Sequence, residues 1–199
     1  MGGPEQTAFS SAYYRAFYGD LRGRVGDRKT VDLLGNFVCS YLNYLDQPVR
    51  RVLDIGCGLG FWQQVIARHH STASYTGVEY SDYLCTRLGW QNGSAVDFYS
   101  AIPFDLVICD DVLQYLSNAD ATAAIDNLAR LSRGALYINA LTTEDWEKNC
   151  DRKRTDGDVF LRNANWYRRR LRQAFTDVGG GVFLSTDAPA ISWELGKFG

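Results

Sequence analysis

Val52-Leu53-Asp54-Ile55-Gly56-Cys57-Gly58-Leu59-Gly60 is the stretch that decides the fold. A short apolar run of strand character breaks into glycines at alternate positions and passes straight into a helical pattern carrying Trp62, Val65 and Ile66. A strand that turns through glycine into a helix opens a parallel α/β sheet, and a ligand is expected at the strand's carboxyl end. Glycine takes positive φ without strain and lets the backbone approach a ligand that a Cβ would hold away. A dinucleotide site asks for G-x-G-x-x-G, with pyrophosphate over the helix N-terminus, but Phe61 stands where the last glycine would fall. The pattern present is G-x-G-x-G, preceded by the acid Asp54.

Outward from this loop the grammar repeats. Strands are predicted at Val52 to Ile55, Tyr75 to Glu79, Ala95 to Phe98, Leu106 to Cys109 and Ala135 to Asn139. Helices fall between them near Phe61 to His70, Asp82 to Leu88 and Ala119 to Ser132, the last opened by Ser117 and Asp120 in capping-box spacing. Alternation of this kind builds a mainly parallel sheet covered on both faces. Upstream, Phe9, Tyr13 and Phe17 make one stripe of a first helix, and Val31, Leu34, Val38, Leu42 and Leu45 make the apolar face of a second. Downstream, 26 residues from Ala140 to Asn165 exceed a simple connection and read as a cover or insertion with a short helix near Asp145. A helix from Trp166 to about Thr176 follows, then Val182 to Ser185 and Ile191 to Leu195 read as a terminal antiparallel hairpin. The expected organisation is one domain: a helical cap at 1–48, a core at 49–140, an insertion at 141–165, and the last helix and hairpin at 166–199.

Composition narrows the function classes. The chain has 199 residues, 46% hydrophobic and 22% charged, which is ordinary globular usage. A net charge of −2 gives no general attraction to nucleic acid or anionic lipid, and no apolar run has the length of a membrane span. Five cysteines, odd in number and without a C-x-x-C pair, argue against a zinc knuckle or a disulfide framework. The N-terminus has no apolar signal segment, so the expected setting is cytoplasmic.

The segment Asp54-Ile55-Gly56-Cys57-Gly58-Leu59-Gly60 resembles motif I of the class I S-adenosylmethionine-dependent methyltransferases. Three further segments extend the resemblance. Gly77-Val78-Glu79-Tyr80 ends a strand in an acid 25 residues after Asp54, where the family's carboxylate takes both ribose hydroxyls and the next residue lies against adenine. Gly93-Ser94-Ala95-Val96-Asp97 is similar to the G-D-A-x-D segment bordering adenine, with Ser94 in the usual first acidic position, so that the amino contact passes to a backbone carbonyl or Asp97. Phe104 to Leu116 is similar to the family's F-D-x-V strand and V-L-x-H-L segment, with Tyr115 where many relatives carry His. The resemblance implies a Rossmann-like three-layer sandwich: a seven-stranded, mostly parallel sheet with a C-terminal antiparallel hairpin and N-terminal capping helices. It implies S-adenosylmethionine as cofactor and S-adenosylhomocysteine as product. The cofactor-binding residues it implies are Asp54, Gly56, Cys57, Gly58, Gly60, Glu79, Tyr80, Ser94, Ala95, Asp110 and Asp111, with Tyr14 and Tyr18 reaching in from the cap.

Other residue groups carry less. Asp110 and Asp111 are adjacent, point to different sides of a strand and have no His or third acid beside them, so no metal site is expected. His69 and His70 close a helix, where a cation suits the dipole. Tyr115 is the candidate catalytic residue, although a phenol with ordinary pKa near ~10 is a poor base at neutral pH. Arg168, Arg169, Arg170 and Arg172 read as a solvated face. With no D-P-P-Y-like segment after the fourth strand, the acceptor is expected to be a small molecule, methylated on O or N. Tyr115, Trp146, Trp166 and the N-terminal aromatics point to a flat or apolar one. A monomer or homodimer is expected. The competing readings are a catalytically silent cofactor-fold module that binds a partner protein, and an NAD(P)-dependent oxidoreductase.

Overall fold

The computed structural model describes Phe9, residues 28–152 and residues 155–188. Seven strands run as β1 (Arg51–Ile55), β2 (Ser74–Glu79), β3 (Gln91–Asn92), β4 (Phe104–Asp110), β5 (Ser132–Asn139), β6 (Phe175–Gly179) and β7 (Val182–Ser185). The helices are α1 (Arg28–Tyr44), α2 (Phe61–His69), α3 (Asp82–Leu88), α4 (Asn118–Leu131), α5 (Thr143–Lys148) and α6 (Ala164–Leu171). The strand order is β3-β2-β1-β4-β5-β7-β6. The first five strands pair in parallel, and β7 runs antiparallel to both of its neighbours.

Near-continuous apolar strands need cover on both faces. On one face Val52, Leu106, Ile108 and Tyr137 pack with Val38 and Leu42 of α1 and Trp62, Val65 and Ile66 of α2. On the other, Leu53, Ile55, Val107, Cys109 and Leu136 pack with Ala124, Ile125 and Leu128 of α4 and Tyr167 and Leu171 of α6. Helix starts are capped by side chains: Ser81, Ser117, Thr142 and Asn163 each accept the backbone N–H of the third residue of the helix that follows. The result is a three-layer sandwich. Because β1 leads outward to β2 and β3 while β4 leads the other way, the connections diverge between β1 and β4, and a cleft opens at their carboxyl ends.

Three expectations are corrected. Ala95 to Phe98 is a turn, and the third strand is the two-residue β3; Asn127 of α4 donates to the Ala95 and Phe98 carbonyls at 3.0 Å each, taking acceptors a strand ladder would use. The last helix ends at Leu171 rather than near Thr176, because Phe175 and Thr176 belong to β6. Val182–Ser185 is a strand of the antiparallel hairpin, but its partner is Phe175–Gly179, joined through Gly180 and Gly181. Ile191 to Leu195 lies outside the described residues, as does the N-terminal helical stripe apart from Phe9. No helix among the described residues is long and apolar enough to cross a membrane.

Candidate active site

The glycine loop sits at the carboxyl end of β1. Gly56, Gly58 and Gly60 have φ of 74°, 51° and 74°, the left-handed region that favours glycine. The N–H groups of Gly56 and Cys57 donate to the Val78 carbonyl at 2.8 and 3.1 Å, tying the loop to β2. A Cβ at Gly58 would meet nothing nearer than the Gly56 carbonyl at 3.9 Å, so the backbone there faces open space. Trp90 grips the loop from outside. Its Nε1–H donates to the Gly58 carbonyl at 2.9 Å, and its ring would stand 2.6 Å from a Cβ on either Gly60 or Gly77.

Glu79, at the end of β2 and 5% exposed, joins the two strand ends. Its Oε2 accepts the Gly58 N–H at 2.9 Å and its Oε1 accepts the Ser81 N–H at 3.0 Å. Each oxygen keeps lone-pair capacity for a further donor. Asp54 lies under the loop, 1% exposed, and accepts the Tyr75 hydroxyl. Burial first, then the Asp110 and Glu79 charges, push its carboxyl up to about 7 against the opposing Tyr75 bond.

Asp110 ends β4 and accepts Trp62 Nε1–H at 3.1 Å and Asn139 Nδ2–H at 3.2 Å. Burial raises its pKa in spite of those bonds. Asp111 has φ of 58°, and this departure from strand geometry overturns the expectation that the two carboxylates diverge. Asn139 Nδ2 lies 3.2 Å from Asp110 Oδ1 and 3.4 Å from Asp111 Oδ1. Asp111 keeps solvent access at the rim, yet desolvation by the surrounding protein and then the Asp110 charge push it up to about 7. Among the described residues no Lys or Arg pairs with Asp54, Glu79, Asp110 or Asp111. A group of acids of this kind favours a cation.

The other predicted residues fall around this centre. Tyr80 is 46% exposed directly after β2. The Ser94 hydroxyl donates to Asp97 Oδ1 at 2.7 Å, and Ala95 is buried beside it. The Cys57 thiol is pushed up by burial, then by the Asp54 and Glu79 charges, which removes it as a nucleophile. Tyr115 sits in the 3₁₀ turn Leu113–Tyr115 after β4. Its ring meets Phe9 edge-on, with centroids 5.2 Å apart and planes at 86°. The Phe9 carbonyl accepts the Ser81 hydroxyl at 2.7 Å, so Phe9 reaches from the end of β2 to the turn after β4. Tyr14 and Tyr18 lie outside the described residues. His69 is held by Asn36 at 2.8 Å, away from the cleft. Among the described residues no three His, Cys, Asp or Glu side chains are grouped to hold a metal ion. The roles of Trp90, Trp62 and Asn139 were not foreseen. Each acts across 29 to 48 positions of sequence, and no local spacing signals it.

Residues 53–134 match the profile of the methyltransferase domain family. The match is to a methyltransferase domain and spans 82 of the 199 residues. The match runs from β1 into β5 and so contains Asp54, the glycine loop, Glu79, Asp110 and Tyr115. No curated protein sequence matches the chain. Solved structures share the fold at low identity. An amino pentose methyltransferase from Micromonospora echinaspora, solved with S-adenosylmethionine bound, has a TM-score of 0.62 at 16% identity, covering 90% of this chain and 98% of that one. Magnesium protoporphyrin IX methyltransferase from Synechocystis PCC 6803, solved with S-adenosylhomocysteine, has a TM-score of 0.59 at 20% identity, covering 94% of each chain. DesVI from Streptomyces venezuelae has a TM-score of 0.61 at 14% identity, covering 84% of this chain and 94% of that one. The matched residues include the carboxyl ends of β1, β2 and β4, which carry the acids just described.

Proposed function

We propose that this protein transfers a methyl group from S-adenosylmethionine to an oxygen or nitrogen of a small-molecule acceptor. One observation carries the reading: the β2 acid Glu79 is bonded to the N–H of Gly58, which joins the glycine loop and the strand-end carboxylate into a single site. The residues suit the cofactor. The open backbone at Gly58 admits a ligand, Glu79 has spare acceptor capacity for two hydroxyls, and Asp54 and Asp110, which no Lys or Arg among the described residues neutralises, favour an ammonium. When bound, the cofactor supplies an already activated methyl group on a sulfonium.

The protein's own task is then binding, alignment and exclusion of water. Alignment at near-attack distance contributes up to about 7 to 11 kcal/mol in well-oriented model reactions. Tyr80 and Ala95 flank the adenine position, with Ser94 and Asp97 shaping that turn. Tyr115, Phe9 and the insertion form the acceptor side, and Tyr115 orients the acceptor. An amino pentose and magnesium protoporphyrin IX, named for two of the similar structures, support an acceptor of low mass. The free cysteines fit the reducing cytoplasm.

Thermal unfolding with S-adenosylhomocysteine, S-adenosylmethionine or NADH tests the reading. Saturation at about a hundred times Kd adds ~2.7 kcal/mol, a rise of about 5 to 10 °C for a chain of this size. The two sulfur ligands are expected to give it, and a shift by NADH alone overturns the proposal.

A further inference from the structure

Arg162, in the insertion, is 5% exposed. No carboxylate among the described residues pairs with it. A buried cation is costly unless its donors are met, and here neutral acceptors meet them. Nε donates to Asn118 Oδ1 at 2.7 Å, Nη1 donates to the Leu113 carbonyl at 2.9 Å and to the Tyr167 hydroxyl at 3.2 Å, and Nη2 donates to the Leu116 carbonyl. The guanidinium lies over the Trp166 ring, 4.9 Å from its centroid.

The neighbouring backbone adds to this. The Phe160 N–H donates to the Gln114 carbonyl at 2.7 Å, and the Arg162 carbonyl accepts the Thr143 N–H at 3.0 Å. The insertion thus holds the carbonyls of Leu113, Gln114 and Leu116, which are those of the turn that carries Tyr115. Gln114 itself is 4% exposed, with Nε2 on Asp111 and its buried Oε1 without a partner among the described residues, so none of these anchors the turn through that amide oxygen.

We propose that Arg162 is a positioning residue of the transfer reaction. It latches the insertion onto the Leu113 to Leu116 turn, and so sets the acceptor-side wall of Tyr115 and Phe160 independently of the cofactor loop. This rests on the methyltransferase reading. The bonds of Glu79, Gly58 and Trp90 involve neither Arg162 nor its partners; the turn meets the cofactor side instead through Gln114 on Asp111 and through Phe9 on Ser81.

The test uses full-length Arg162→Lys and Arg162→Gln, with three measurements: hydrogen exchange across 112–118 and 158–163, S-adenosylhomocysteine affinity by calorimetry, and Tm. Lysine keeps the charge but lacks the planar fork that reaches acceptors on several sides. Both variants are expected to exchange about tenfold faster or more in those two segments, with β1 and β2 unchanged. Affinity for S-adenosylhomocysteine stays within about twofold, as for independent sites. Lysine should recover more of the Tm than glutamine without recovering the local protection. Unchanged protection at 112–118, a rise spread evenly over the sheet, or affinity falling in step with protection overturns the latch. If Arg162→Gln does not fold, Arg162→Lys decides alone. Wild-type protein that fails to bind S-adenosylhomocysteine refutes the cofactor reading, and the exchange pattern still judges the latch.

Discussion

Asp54 is held where water does not reach it, and its carboxyl is raised from 3.8 to about 7. A folded-state pKa above the unfolded one contributes stability that is complete below the unfolded value and is lost as pH rises through the folded value. Wild-type protein without cofactor should therefore lose stability relative to Asp54→Asn between about pH 4 and 7, on the order of a few kcal/mol. Urea titrations of both proteins across that range measure it, and parallel curves would show that Asp54 does not carry the effect. Because a bound ammonium favours the ionised acid, the same substitution should weaken S-adenosylmethionine binding most at alkaline pH. Glu79→Gln leaves one of two backbone N–H groups facing an amide NH₂. Its affinity for S-adenosylhomocysteine should fall about tenfold or more, since the ligand loses a bond to a charged acceptor, worth about 1.5 to 3 kcal/mol. Calorimetry checks this, and an unchanged Kd would remove Glu79 from the site.

At the scale of elements, Trp90 braces the glycine loop from outside. Trp90→Phe keeps a ring over Gly60 and Gly77 and loses the bond to the Gly58 carbonyl, about 1 kcal/mol of support. Trp90→Ala loses both and should weaken S-adenosylhomocysteine binding further, the order wild type, Phe, Ala being the readable outcome. If both variants bind as wild type does, Trp90 only fills space. The elements differ in how legible they were. β1, β4 and β5 were readable because burial on both faces demands near-continuous apolar runs, and β2 through the strand-favouring Tyr75, Thr76 and Val78. β3 was not, since Gln91 and Asn92 are exposed and nothing in their side chains marks a strand. The hairpin was misplaced although a signal stood in Gly179-Gly180-Gly181, whose φ values are 91°, 62° and 77°. A glycine turn between Val178 and Val182 favours pairing these flanks over pairing across Pro189. For the site, Asp54 was legible as an acid set in the apolar β1 run just before the glycines, and Glu79 as the charge that ends β2. Trp90, Asn139 and Arg162 act through contacts that exist only once distant segments meet.

For the whole molecule, the acids divide by the end of the sheet they occupy. At the amino end, Asp105 accepts the N–H groups of Arg50 and Arg51 at 2.9 and 2.8 Å and Arg133 Nε–H at 2.7 Å, stapling the starts of β1, β4 and β5. Burial opposes its ionisation, but these bonds outweigh it and hold the carboxyl below 3.8. Its stabilisation is present above that value and is lost as pH falls through the folded pKa. Asp105→Asn should cost about 2 kcal/mol, typical of bonds to a charged group, and lower Tm by about 4 to 8 °C. Cofactor affinity should not change, and a loss of affinity equal to the loss of stability would show that the two ends are coupled. At the carboxyl end no Lys or Arg among the described residues pairs with the acids. The separation has an evolutionary corollary: substitutions at the amino end can tune robustness while the opposite rim drifts toward new acceptors, so a lineage built on this sheet can change what it modifies without renegotiating whether it folds.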